Sequence, residues 1–391
     1  MIQHLIKMIW NKKKQNFLLI MEIFVSFLVL FGVFSVIVFN IRNYNKPRGF
    51  KDDNVWSVTF TLEDRKDDSI GNYEKPVNAL LRSMPEVEEL SWTSENFPFA
   101  MSSSNNQLSY NKVKVSAEVR QVEDTYLQVI SATMKEGRWF GKQDDGLKVK
   151  PIVINETLKE RLFKNESPIG KIINADEENG GDRVVGVFAD FKERDDFQED
   201  DNSFYRRITP ADKWHAHSLL MKLRSRQDAN FEAKIHKELS KLMKNANIEI
   251  EYLTEKRITR NKLTVVPIII LLLVCGFLVL NVSLGIFGIL WYNINKRRSE
   301  IGLRRAVGAT STNISAYFIA EAMVLTSMAL LIGLFFAIQF PLLNIFDVSG
   351  GVYLKAIIIA VLFIYVLVLV CAFYPGKQAA NIYPAVALHE E

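Results

Sequence analysis

Four stretches of this chain are almost free of charged side chains: Phe17 to Phe39 with Glu22 alone, Thr264 to Asn295 with none, Thr310 to Phe346 with Glu321 alone, and Ala356 to Gly376 with none. No other feature limits the fold as strongly. At ~1.5 Å rise per residue, roughly 20 apolar residues cross the ~30 Å hydrocarbon layer of a bilayer as a helix. Inside lipid, open chain segments leave backbone N–H and C=O groups without partners, so a span of this kind is helical. The sequence therefore predicts an α-helical membrane protein with four transmembrane helices, at 15–42, 263–295, 312–346 and 356–376, and a large α/β domain between the first and second. The first run is too long for a signal peptide, and no small-residue cleavage site follows it, so it reads as a permanent anchor.

Basic residues in the short connecting segments set the expected orientation. Lys7, Lys12, Lys13 and Lys14 precede the first span, and Lys296, Arg297, Arg298, Arg304 and Arg305 follow the second. The connection between the third and fourth spans, 347–355, has only Lys355. Both termini and segment 296–311 are thus expected in the cytoplasm, with residues 43–262 outside and a cytoplasmic tail at 377–391. Ahead of the first span, Ile2, Leu5, Ile6, Ile9 and Trp10 recur at helical spacing, the pattern of an amphipathic helix (1–14) lying on the membrane surface.

The outer domain carries 36 basic and 38 acidic residues, a net charge of −2, which excludes nucleic acid as a natural partner. Both cysteines, Cys275 and Cys371, fall within spans and suggest neither a disulfide nor a metal site. The domain opens with "NVWSVTFTL", where Trp56, Val58, Phe60 and Leu62 alternate as in a half-buried strand. A helix around Tyr73 to Met84 follows, then a strand "VEELSW". Near the domain's end the order recurs, with "SLLMKLRS", a helix facing inward through Phe231, Ile235, Leu239 and Leu242, and "IEIEYL". Two β-α-β units of a porter-like part thus bracket an inserted, mainly β subdomain at about 97–212. Its clearest strands are "KVKVSAEVRQV", "KPIVI" and "RVVGVFADF", with one short helix at Glu156 to Phe163. Residues 190–201 hold seven acids in twelve but lack the spacing of a calcium loop, so a solvated, mobile loop is expected. The "WHAH" at 214–217 puts two histidines on opposite sides of a strand, which argues against a shared metal.

No phosphate-binding glycine loop, serine elbow, zinc-protease helix or CxxC pair is present, so the chain is not expected to be an enzyme or to bind a cofactor itself. Glu22 and Glu321 lie within a few turns of the expected cytoplasmic face and suit structural or interface roles better than a proton relay. Gly276, Asn281, Ser283, Gly285 and Gly288 give the second span a small, weakly polar surface suited to a dimer interface.

Between the second and third spans stands "RRSEIGLRRAVGATS", with five charges in its first nine positions. Ser299, Glu300, Ile301, Gly302, Leu303, Arg304, Arg305, Ala306, Val307 and Gly308 read as a short helix. Ser299 can cap its start, Glu300 precedes Arg304 by one favourable step, and Gly308 can end it. Its apolar residues form no single stripe, which suits docking into another protein better than lying on a membrane; an ordinary loop carrying positive-inside residues is the alternative.

This segment, with the "TNISAYFIAEAMVLTSMALLIGL" that follows, closely resembles the signature of FtsX-like permeases of the MacB type, in the type VII ABC transporter superfamily. The ending "YPGKQAANIYPAVAL" is similar to the family's terminal pattern, on Pro375, Ala379, Pro384, Ala387 and Leu388. "KEGRWF", "PIVINETLKERLFKNESPIGKII" and "VVGVFADFK" resemble motifs of its outer domain. The resemblance implies a permease whose 299–308 helix couples to an ATPase, with ATP and magnesium bound on that partner. Two copies of a separate ABC ATPase and a second permease subunit, identical or paralogous, are implied partners in a bacterial inner membrane. An outer-membrane channel or adaptor is a further implied partner, the outer domain being periplasmic in a Gram-negative cell. The chain departs from the family's namesake in carrying no ATPase domain ahead of its first span. Mechanotransmission for efflux of a peptide, antibiotic or lipid-linked substrate is the leading expectation. The alternatives are a non-transporting transmitter acting on a cell-wall hydrolase or sensor kinase, and lipoprotein release.

Overall fold

A computed structural model describes residues 13–62, 70–174, 180–208, 218–244 and 246–380. The surface-helix residues Ile2, Leu5, Ile6, Ile9 and Trp10, the two histidines of "WHAH", and Pro384, Ala387 and Leu388 lie outside the described residues. The chain divides into two compact units, residues 43–264 and the remainder.

In the 43–264 unit, eleven described strands form one sheet in the order β11-β1-β10-β2-β4-β9-β6-β8-β5, with β3 on β4 and β7 on β8. Strands β1 (Val55–Leu62), β2 (Val87–Thr93), β10 (Ser218–Leu223) and β11 (Ala246–Tyr252) pair antiparallel. Helices α2 (Ile70–Arg82) and α5 (Ala229–Leu242) complete a split β-α-β arrangement. The alternation read from the sequence places Trp56, Val58 and Phe60 against Val77 and Leu81 of α2 and Phe231, Ile235 and Leu239 of α5. Leu242 departs from its expected inward place: it is exposed, and Met243, just past the helix end, is buried in the same core. Asp228 starts α5 by accepting the Phe231 N–H at 3.1 Å.

The insertion continues the same sheet. Strand β2 touches β4 (Val113–Val122) at one residue pair, Thr93 with Val122, and β4 then runs parallel to β9 (Ser203–Arg207). Strands β3 (Asn105–Tyr110), β5 (Met134–Gly137), β6 (Lys150–Asn155), β7 (Ile172–Ile173) and β8 (Asp182–Phe188) complete it. Helix α4 forms over the expected Glu156–Phe163, with Asn155 capping its start, and a further turn, α3 (Tyr126–Val129), also forms. Beneath the sheet a buried Arg120 bridges Glu118 at 2.9 Å and Glu193 at 2.7 Å, and Tyr205 donates to Glu193. Burial pushes the Glu193 carboxyl up, against the opposing pull of Arg120.

The acidic segment 190–201 corrects the sequence expectation, because it is built into the fold rather than solvated. Asp190 accepts from the N–H and hydroxyl of Thr157 at the start of α4. The Lys192 ammonium, on a side chain buried to 3% residue exposure, donates to the carbonyls of Asn43, Lys46 and Asp196. Asp196 faces Arg48, Arg257 and Asn261, and Asp195 accepts from Thr264. The charge density that looked like solvation in the sequence is spent on local partners: basic residues 48 and 257 flank the domain in sequence, which conceals their convergence.

The other unit holds the spans. Helix α1 (Lys13–Tyr44), α6 (Leu253–Lys296), α8 (Ser311–Ala337) and α10 (Gly350–Ala380) contain four stretches long and apolar enough to cross a membrane. Ala356, Ala360, Ile364, Val368 and Ala372 recur every four residues on α10 and pack with Ala322, Leu325 and Ala329 of α8, the close approach that small residues permit. Gly333 leaves space that Phe27 occupies. The third span is shorter than the expected 312–346: α8 stops at Ala337, α9 (Gln339–Leu342) follows, and Asn344 and Phe346 turn with positive φ. The fourth begins earlier than 356, because Lys355 lies inside α10 and Tyr353 ties its start to the Ile345 carbonyl at 2.8 Å. In α6, 6% of the most apolar stretch is buried, against 33% in each of the other three.

Burial alone pushes the Asp196 carboxyl up, but Asn261, Arg48 and Arg257 outweigh it and hold it below the ordinary 3.8. A carboxyl depressed in the folded state contributes stability above its unfolded value and loses it as pH falls through its folded value. Asp196→Asn is expected to destabilise the outer unit by about 1–2 kcal/mol near neutral pH. The wild-type advantage should begin to fall at about pH 4, where an unfolded aspartate protonates, and be lost once pH drops below the depressed folded value. Calorimetry of the full chain at both pH values checks this, and an advantage undiminished in acid would contradict it.

Candidate functional site at the short helix between the second and third spans

Helix α6 and the short helix α7 (Arg298–Ala306) are separated by a single residue, Arg297, whose backbone leaves helical geometry at φ −106° and ψ 21°. Its guanidinium grips Glu321 of α8 through two bonds, Nη1 to Oε2 at 2.9 Å and Nη2 to Oε1 at 3.2 Å. The side chains are only 11% and 8% exposed. Planar, two-point pairing of this kind fixes direction as well as distance. It gives the one acid of the third span a partner and sets the angle at which α7 departs.

Three further contacts hold α7 in place. Ile301 is buried among Ile294, Ile314, Phe318 and Ala379. The Arg305 guanidinium donates to the Ala380 carbonyl at 2.5 Å, and the Arg304 guanidinium lies 4.7 Å over the Tyr317 ring while bonding Glu300. At the far end Ala309 N–H bonds the Arg304 carbonyl at 3.0 Å and Gly308 N–H the Arg305 carbonyl at 3.1 Å. These two bonds form the glycine-terminated C-cap of a helix. Gly308 has φ +101°, a conformation that side-chain-bearing residues rarely adopt.

The ten residues singled out from the sequence therefore separate by face. Ile301 and Gly302 are buried within this unit and anchor the helix, so they are corrected from docking contacts to supports. Ser299 is corrected as well: the cap position belongs to Arg297, and Ser299 lies in the first turn. Glu300, Leu303, Arg304, Ala306, Val307 and Gly308 are exposed with Ser299, while Arg305 is half-buried. Leu303 at 57% and Val307 at 82% exposure are apolar side chains that the unit itself leaves uncovered. The exposed face thus carries two apolar side chains, Leu303 and Val307, among charged ones. Among the described residues, no group of three or more His, Cys, Asp or Glu is placed to hold a metal ion.

The proposed small surface on the second span is divided too. Gly276 and Gly288 have open space where a Cβ would stand, and Asn281 and Ser283 bond carbonyls of their own helix at Phe277 and Val279. Gly285 instead lies against the Glu22 carboxylate of the first span, which corrects its place as a contact free for another subunit. Sequence reasoning missed the Arg297–Glu321 pair. The signal was there, since a lone acid in an apolar span demands a cation, and the nearest one on a neighbouring span end is Arg297.

Removing one member of a buried ion pair strands the other, at a cost of about 3–5 kcal/mol. Glu321→Leu is expected to lower the thermal stability of the membrane unit by that order. Adding Arg297→Met should recover most of the loss. A double variant no more stable than the single one, measured by detergent melting, would contradict the assignment.

A family model described as MacB-like periplasmic core domain matches residues 23–238, and one described as FtsX-like permease C-terminal matches residues 266–384. The macrolide export ATP-binding/permease protein MacB of Bdellovibrio bacteriovorus is 24% identical over 306 residues, covering 74% of this chain and 46% of the relative. The protein of the same name from Neisseria gonorrhoeae is 25% identical over 321 residues, with the same coverage. The chain thus spans about half the length of the curated relatives it matches. Among solved structures, the periplasmic region of MacB from Actinobacillus actinomycetemcomitans aligns with a TM-score of 0.40 and 17% identity, over 56% of this chain and 97% of that one.

Proposed function

Because the chain belongs to the FtsX-like permeases with a MacB-like periplasmic core domain, we propose that it is the membrane subunit of an ATP-driven ABC transporter. Helix α7 is its docking element for an ATP-hydrolysing partner on the cytoplasmic side, and residues 43–264 form its extracytoplasmic working domain. The observation that carries this reading is the arrangement of α7: a short helix clamped at its start by Arg297–Glu321, plugged by Ile301, and exposing Leu303 and Val307. A loop serving only to join two spans needs no such fixing.

In this reading ATP and magnesium are bound by the partner, and closure of two nucleotide-binding subunits pushes two α7 helices. The push passes into the spans through the ion pair and the Ile301 plug, without a substrate path through the hydrocarbon. Two permease subunits, identical or paralogous, are required by the two-fold symmetry of such a motor. The open surfaces at Gly276 and Gly288 and the thinly covered second span support such pairing. The relatives' name, macrolide export, supports outward movement of an antibiotic, peptide or lipid-linked molecule at the outer face.

Leu303→Asp alters the exposed face alone, and Glu300→Lys adds only the loss of the solvent-exposed Glu300–Arg304 pair, which is worth little to stability. Each is expected to reduce co-purification of the ATPase at least about tenfold, corresponding to ~1.4 kcal/mol, while leaving the melting profile of the permease unchanged. Retention of the ATPase at wild-type level by both variants would refute docking through this face.

A further inference from the structure

Strand β4 has a gap along one edge. Its other edge is filled by β9, from Glu118 beside Ser203 to Val122 beside Arg207. On the gapped edge it pairs with β3 as far as Glu118 with Asn105, and with β2 at Val122 with Thr93, so residues 119–121 face no strand there. Side chains and single backbone groups complete the ladder instead. The Ser94 hydroxyl accepts the Gln121 N–H at 3.1 Å, and the Asn96 amide donates to the Val119 carbonyl at 2.7 Å. The Ser104 carbonyl accepts the Val119 N–H at 2.8 Å. Between these bonds residues 95–103 leave the sheet, and a cleft of about 370 Å³ stands beside them. That volume falls in the range of small-molecule sites, about 300–1,000 Å³.

The cleft is held in shape from behind. Asn96 is 4% exposed, and its carbonyl accepts from the buried Arg120 guanidinium at 2.9 Å. Further along the same connection, the Phe99 N–H donates to the Glu193 carbonyl at 2.6 Å. A ligand thus meets groups already fixed and orders little on binding. The lining itself is polar. Besides Ser94 and Asn96 it presents Glu95, Gln121 and the exposed Ser102, Ser103 and Ser104. Serine hydroxyls and the glutamine amide both donate and accept, which matches a molecule whose own groups do both, as sugar hydroxyls do. Glu95 is the one charged residue lining the cleft, so the local field disfavours an anion. Val119 is the one large apolar residue lining it, whereas sites for apolar small molecules are walled mostly by such side chains.

We propose that this cleft binds a short neutral saccharide, whose hydroxyls bond the side chains of Ser102, Ser103, Ser104 and Gln121, with Glu95 excluding acidic sugars. The site lies wholly within the 43–264 unit, apart from α7 and from the second span, and stands whether or not the chain works as an exporter.

The test uses the full chain in phosphatidylcholine nanodiscs and saturation-transfer NMR with the neutral disaccharides cellobiose, maltose and di-N-acetylchitobiose. Digalacturonate is the acidic comparison, and a Gly-Ser-Gly-Ser peptide is the polar ligand that is not a sugar. At least one neutral disaccharide is expected to bind at least about tenfold more tightly than both. Ser103→Leu combined with Gln121→Leu should lose that binding by a similar factor, and Glu95→Lys should raise digalacturonate to the level of the neutral sugar. Gln107→Leu, an exposed change on β3 outside the cleft, should leave binding unchanged. If the double variant fails to fold, hydrogen exchange on the wild-type chain decides, with amides of 94–104 and 119–121 slowed by the bound sugar. Binding of none of the neutral disaccharides, undiminished binding by a folded double variant, or exchange slowed only elsewhere would overturn the proposal. So would equal binding of the peptide, which would make the cleft a peptide site.

Discussion

The two-point bond between Arg297 and Glu321 organises the membrane unit. An arginine at the end of one apolar helix and a glutamate inside another are each costly alone, and together they neutralise one another in fixed geometry. Because Arg297 must turn toward Glu321, the 44-residue helix ends there rather than running on into α7. The short helix is therefore not a slack connection. The Arg297 carbonyl accepts from the Ile301 N–H, and the Ile301 side chain is buried among Ile294, Ile314, Phe318 and Ala379. Packed side chains and paired charge thus hold α7 in place.

The outer unit reaches comparable rigidity by different means. Its split β-α-β half and its insertion share one sheet, joined where Thr93 meets Val122, so neither is a bead on a string. Lys192 draws carbonyls from residues 43–46 and 196 around one ammonium, and Asp196 gathers Arg48, Arg257 and Asn261. Burial pushes the Lys192 pKa down, yet the neighbouring carboxylates of Asp196 and Asp200 oppose that shift. The segments that enter and leave this unit are thereby fastened to one acidic loop within it.

The sequence made some of this legible and hid the rest for physical reasons. Alternation at Trp56, Val58 and Phe60 and the helical spacing of Phe231, Ile235 and Leu239 revealed the outer core, because those patterns are local. Span number was equally plain from charge-free length. Span ends were not: Lys355 lies inside a helix and the uncharged Asn344 and Phe346 lie in a turn, so absence of charge misjudged both boundaries. The acidic loop and the Arg297–Glu321 pair were missed because their partners are distant in sequence. For α7 itself, length and glycine stop were readable, whereas the division between the supporting Ile301 and the exposed Leu303 and Val307 required three-dimensional packing.

The central claim is that one face of α7 meets an ATP-hydrolysing partner while the opposite face belongs to the chain's own core. The most direct measurement places a photocrosslinking phenylalanine at position 307, and separately at 301, in the full chain within its native membrane. The account predicts an adduct with an ABC ATPase from position 307, where the side chain is exposed, and none from position 301, where it is buried. An ATPase adduct from 301 but not from 307, or no ATPase adduct from either, would contradict it.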